Sequence, residues 1–126
     1  MPRRPGWRSF LATVLLITSC STSGGAIERL VITNRTSYDL EIAVTDARRE
    51  GWVPLGRTLR GETSTHEMVA DLGDIWIFRF EYAARVLGGE LRVGREQLEA
   101  DDWEVVVPDR VEDRLRAEGI KPSPER

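Results

Sequence analysis

The sequence holds one cysteine, one histidine and one lysine in 126 residues. It also has no long apolar run and no excess of basic charge. Each shortage excludes something. A lone cysteine, Cys20, closes no internal disulfide, so the fold does without one. A spanning helix needs about 20 consecutive apolar residues, and the longest apolar run, Phe10 to Ile17, is eight. The chain carries 18 basic residues against 21 acidic ones. Three of the basic residues, Arg3, Arg4 and Arg8, stand in the first nineteen positions, which carry no acid. Residues 20–126 are therefore clearly acidic. A nucleic-acid binder needs a basic footprint, so no nucleic-acid partner is expected.

The first twenty residues have a definite order. Met1 to Arg8 is basic, Phe10 to Ile17 is apolar, and the small residues Thr18 and Ser19 precede Cys20. This is the arrangement of a secretory signal. The positive end stays on the cytoplasmic side, the apolar segment enters the lipid, and small residues let a peptidase reach the backbone.

Ile17-Thr18-Ser19-Cys20 resembles the lipobox of bacterial lipoproteins: an aliphatic residue, a small residue, Gly, Ala or Ser, then the cysteine of that class. Ile in place of Leu at position 17 is a mild departure. The resemblance implies that Cys20 gains a diacylglyceryl thioether, that a signal peptidase cuts before it, and that Cys20 becomes the new N-terminus. Acyl chains contribute about 0.8 kcal/mol per buried CH₂, and stable anchoring takes two of them. The resemblance also implies an exported protein on the periplasmic or cell-surface side of a membrane. Ser21 follows Cys20, and a residue other than Asp there implies the outer membrane where the organism has one. Its membrane partner would be reached through the lipid at Cys20.

The expected organisation is a signal peptide over 1–19, a lipidated Cys and flexible polar tether over 20–27, a β domain over 28–120 and a disordered tail over 121–126. The β reading rests on pattern. Tyr38, Leu40, Ile42 and Val44 alternate with Asp39, Glu41, Ala43 and Thr45. Strict alternation marks a half-buried strand. Trp76, Phe78, Phe80 and Tyr82 share a face in the same way and predict the densest part of the core. Further strands are expected at Glu28–Thr33, Trp52–Leu59, Thr63–Val69, Glu90–Arg95 and Trp103–Val107. Pro54 puts the third strand at a sheet edge, and the polar Thr63–Val69 segment also reads as an edge. Gly88-Gly89 reads as a turn and the acidic Glu96–Asp102 as a loop. Seven strands at this spacing predict an antiparallel seven-stranded β-sandwich, immunoglobulin-like or transthyretin-like, with a partly open barrel as the alternative.

A short C-terminal α-helix completes the domain. Asp109 with Glu112 three residues later forms a capping-box pattern. Val111 and Leu115 lie on one face. Gly119 and Ile120 match a Schellman ending. Packing against the sandwich is expected for this helix.

Few residues suggest chemistry. Ser64 and His66 share a strand face, but side chains at i and i+2 start about 7 Å apart and no nucleophile elbow accompanies them. His66 and Met68 fall short of a blue-copper site, which needs two His and a Cys. The acid pairs Asp71/Asp74, Asp101/Asp102 and Glu112/Asp113 read as solvated loops and a helix N-terminus. A calcium site at Asp71–Asp74 would lack the six to eight oxygens required. Asn34-Arg35-Thr36 matches a glycosylation acceptor by chance. No catalytic residue, no metal ligand and no cofactor is expected, and the protein reads as non-enzymatic. Trp52, beside the weakest strand, is the candidate contact residue for an envelope protein partner. The alternative function is a small ligand- or metal-binding module of the periplasm or cell surface.

Overall fold

A computed structural model describes residues 25–126. The expected signal peptide and lipobox lie outside the described residues. Strand β1 spans Ala26–Thr33 and β2 spans Leu40–Thr45. Next come β3 at Val53–Thr58, β4 at Thr63–Ala70 and β5 at Ile75–Tyr82. The long β6 covers Val86–Gly94, helix α1 Arg95–Ala100, β7 Glu104–Val106 and helix α2 Asp109–Ala117. These seven strands form two sheets, β4-β1-β7 and β3-β2-β5-β6. The molecule is mainly β and sandwich-like.

The alternating strands build the core. Leu30 and Ile32 of β1 are fully buried, as are Leu40 and Val44 of β2 and Trp76, Phe78 and Phe80 of β5. They fill the space between the sheets because successive side chains of a strand point to opposite faces. Tyr38 is buried too, although it precedes β2. Its hydroxyl donates to the carbonyl of Ile120 at 2.6 Å. Both polar strands lie at edges as expected: β3, with Pro54, and β4.

Several expectations are corrected. The sandwich is not wholly antiparallel, because β7 pairs parallel with β1. Helix α1 carries the chain from β6 across to the other sheet, so β7 enters it in the direction of β1. Residues 95–100 are therefore helical where a loop was expected. Only Leu98 is buried on this short element, too little to leave a periodic signal.

Gly88 and Gly89 do not turn the chain; they lie inside β6. A Cβ at Gly88 would stand 2.7 Å from Val111 Cγ1 of α2 and 3.3 Å from the Phe80 carbonyl. The glycines let the helix sit directly on the strand. The actual turn is Tyr82 to Arg85, closed by Arg85 N donating to Tyr82 O at 3.1 Å. Ala83 and Ala84 take φ of 54° and 56°, as both central residues of a type I′ hairpin turn must.

Trp103 is not a strand residue. Asp102 and Trp103 have φ of 57° and 58°, and Trp103 N donates to Leu98 O at 2.7 Å. They close α1 and delay β7 to Glu104. The Trp103 ring still packs edge-on against Trp76, with centroids 5.3 Å apart. At α2, Pro108 holds the N-cap position with no side-chain cap, and Asp109 is the first helical residue. Glu112 instead accepts a hydrogen bond from Ser37 N at 3.1 Å. The C-terminal end follows the Schellman pattern: Ile120 N donates to Leu115 O and Gly119 N to Arg116 O.

Finally, residues 121–126 are tied down. Ser123 is buried. Its N–H donates to Ser37 O at 2.9 Å, its Oγ accepts from Asp39 N at 2.8 Å, and its carbonyl accepts from Arg60 at 2.6 Å. Arg126 pairs with Asp39 at 2.7 Å. The tail satisfies backbone groups beside β2, which Pro and Ser content alone does not reveal. At the other end, β1 takes Ala26 and Ile27 from the expected tether.

Candidate functional site

Ile17, Thr18, Ser19 and Cys20 lie outside the described residues. Trp52 is half-buried over the outer face of the four-stranded sheet. The guanidinium of Arg79, from β5, stands 4.1 Å from its ring centroid, and that of Arg49 5.4 Å. The β2–β3 loop brings Arg49 and Trp52 there. Asp46 Oδ1 accepts hydrogen bonds from Arg48 N at 3.0 Å and Arg49 N at 3.2 Å. Thr45 Oγ1 donates to the Gly51 carbonyl. Arg49 then grips Glu90 of β6 with two bonds, 2.9 and 2.7 Å. That grip, more than any other influence, holds the Glu90 carboxyl below its ordinary range, while burial opposes it. Arg79 Nε is buried and has no hydrogen-bond partner among the described residues. Glu81 Oε1, at 3.6 Å, is beyond hydrogen-bond reach. Trp52 thus ties the loop to the sheet through its cation–π contact with Arg79, and Arg49 adds a second tie through Glu90. Arg49, Arg79 and Glu90 were not singled out in sequence. Only the polar turn of the β5 outer face at Arg79 hinted at them.

Ser64 and His66 do meet. Ser64 Oγ lies 2.9 Å from His66 Nε2 and 2.6 Å from Thr58 Oγ1 of β3. The two side chains close the gap that their backbone spacing leaves. The three groups join the edge strands of opposite sheets, β3 and β4. Burial lowers the pKa of His66, favouring the neutral ring. No hydrogen bond to Nδ1 is present among the described residues, so the pair lacks the orienting group of a triad.

The acid pairs are used locally. Asp71 Oδ1 accepts from Gly73 N at 2.9 Å and from Arg95 at 2.5 Å. The Gly73 bond, and then Arg95, hold its carboxyl low against burial. Glu112 is drawn upward by burial, but its bonds from Arg116 and Ser37 outweigh that and leave it lowered. Among the described residues no three His, Cys, Asp or Glu side chains gather as a metal site would require. Asn34 is fully buried. Its amide donates to Tyr38 O at 2.7 Å and Thr58 O at 3.0 Å, and its Oδ1 accepts from Thr36 N and Oγ1. It organises the loop from β1 to β2.

A groove runs along the side of the sandwich opposite β3 and β4. Its volume is about 650 Å³, with Leu91, Val93, Leu98 and Val105 among its lining residues. Chain and fold together define a small two-sheet β domain with one open side and one closed by a hydroxyl–imidazole chain. No family model, curated protein or solved structure matches it.

Proposed function

We propose that this protein is an exported, lipid-anchored component of the bacterial cell envelope. Its β domain binds a partner and performs no catalysis. The observation that carries the reading is the order of the first twenty residues: basic, apolar, small, then the single cysteine. The lipid joins at Cys20, with Ile17, Thr18 and Ser19 forming the cleavage motif. Strand β1 begins at Ala26, so about five residues separate the anchor from the folded body. No helix among the described residues is long and apolar enough to cross a membrane.

We also infer an immunoglobulin-like rather than transthyretin-like sandwich. The order β3-β2-β5-β6 facing β4-β1 corresponds to strands C′-C-F-G facing E-B of that architecture. β7 then fills the place beside B, where it runs parallel instead of antiparallel as the usual first strand does.

Intact-mass measurement on protein extracted from membranes tests the anchor. The expected species starts at Cys20 and is heavier than the polypeptide by a diacylglyceryl group. A species starting elsewhere, or a Cys20 start with no added mass, contradicts the reading.

A further inference from the structure

Residues 121–126 lie beside the start of β2 and are held there by polar contacts. Ser123 N donates to Ser37 O at 2.9 Å, Ser123 Oγ accepts from Asp39 N at 2.8 Å, and the Ser123 carbonyl accepts from Arg60 at 2.6 Å. Arg126 meets the Asp39 carboxylate at 2.7 Å, and Glu125 stands 3.5 Å from the Arg60 guanidinium. Ser123 is buried, whereas Lys121, Pro122, Pro124, Glu125 and Arg126 are exposed. The last apolar side chain packed on the core ahead of them is Ile120. Pro122 and Pro124 keep the segment extended, because each fixes its own φ and turns the residue before it away from helix.

The surface that receives this segment is fixed by other contacts. Arg60 N donates to Asp39 Oδ1 at 2.8 Å. Glu112 accepts from Ser37 N at 3.1 Å. Tyr38, between them in the chain, is fully buried. Ser37 O, Asp39 N, the Asp39 carboxylate and the Arg60 guanidinium therefore form a row of groups set in place by the domain itself. Residues 123–126 do not fill the space along that row. A hollow of about 150 Å³ beside Ser123 and Pro124 is lined by Arg57 and Tyr82. Another of about 370 Å³ beside Glu125 and Arg126 is lined by Gly61 and Glu62.

We propose that this row is a binding site for an extended peptide segment of a partner protein, and that residues 121–126 are a strap that occupies it until such a segment takes their place. The strap itself defines the class of ligand: a hydroxyl side chain followed by proline, an acid two residues on and a basic residue three on. The hydroxyl accepts from Asp39 N, the acid meets Arg60 and the basic residue meets Asp39. The strap opens without disturbing the core, because exposed ion pairs contribute little and its hydrogen bonds are replaced by bonds to water. The two hollows admit larger side chains than the strap places there. The proposal rests on the reading of the chain as a partner-binding domain and is independent of the anchor at Cys20.

The test uses the whole protein in nonionic detergent and a fluorescein-labelled peptide, Lys-Pro-Ser-Pro-Glu-Arg. A triple variant, Ser123→Val with Glu125→Arg and Arg126→Glu, expels the strap and leaves every residue of the site in place. Fluorescence anisotropy is expected to show the peptide binding this variant, and binding the wild type about tenfold more weakly because the strap competes from within the chain. A peptide with Ala for Ser is expected to bind the variant about tenfold more weakly as well. No binding to the folded variant overturns the proposal, as does equal affinity for wild type and variant or for the Ser and Ala peptides. Native-state hydrogen exchange of the wild type decides independently of how the variant folds. The amides of Asp39 and Ser123 are expected to exchange about a hundredfold faster than those of β5; equal rates would mean that the strap leaves only when the domain unfolds, and would overturn the proposal. A concentration-dependent wild-type dimer lost in the triple variant would put the strap of a second copy in the site and also overturn it. None of these results bears on lipid at Cys20, so the two readings fail separately.

Discussion

At the scale of single residues, a few positions hold the structure together through contacts no pattern announces. Gly88 is the sharpest. Its missing side chain lets Val111 reach the sheet, and an added Cβ would meet Val111 Cγ1 at 2.7 Å. Gly88→Ala is expected to destabilise the fold by about 1–3 kcal/mol, the usual range for overpacking. Urea denaturation measures it, and Val111→Ala in the same chain should recover part of the loss. His66 gives a pH dependence. Burial lowers its pKa, so folding favours the neutral ring. That contribution is present above about pH 6.5 and is lost as pH falls through the lower folded value. Between pH 7 and pH 5 the urea midpoint of the wild type should fall more than that of His66→Gln. Parallel profiles would show that the imidazole is not coupled to folding. The lowered carboxyls of Asp71, Glu90 and Glu112 act in the same direction, but only as pH drops into the carboxylate range. Sequence showed His66 and Ser64 on one face. It did not show their bond, nor the Thr58 hydroxyl that Ser64 also meets, 6 positions away in the chain.

At the scale of elements, what was legible followed periodicity. β2 and β5 alternate cleanly, and both are central strands of their sheet. The edges were legible through Pro54 and the polar Thr63–Val69 segment. The C-terminal helix was legible through Val111, Leu115 and Gly119. What was missed lacks a local signal. The hairpin between β5 and β6 uses Ala83 and Ala84 in the left-handed region, where Asn and Gly are the expected residues. The Gly-Gly pair that did suggest a turn exists for helix packing. Ala in the left-handed region costs about 1 kcal/mol or more. Replacing the pair, Ala83→Asn with Ala84→Gly, is therefore expected to raise stability by roughly 1 kcal/mol. Thermal unfolding checks this, and an unchanged or lowered melting temperature would mean that the turn is not type I′. The same reasoning explains α1 and the tail. One buried leucine and one buried serine fix them, and neither forms a pattern.

At the scale of the whole molecule, the chain divides its tasks. In the proposed reading residues 17–20 carry the address, and the body from Ala26 onward carries the binding surface. Composition speaks at this scale only through the acidic balance of the body, which carries no basic footprint of the kind a nucleic-acid binder uses. It could not locate the groove, which depends on β7 joining the sheet of β1 and leaving the Leu91–Gly94 part of the β6 edge beside it. The Trp52 cluster is likewise a product of the assembled sheet, since Arg49, Arg79 and Glu90 are far apart in sequence. The central claim is the anchor. Cells given radiolabelled palmitate should incorporate label into the wild-type protein and none into Cys20→Ser, with the variant recovered outside the membrane fraction. Equal labelling of the two, or a wild type that takes up no label, would contradict the account.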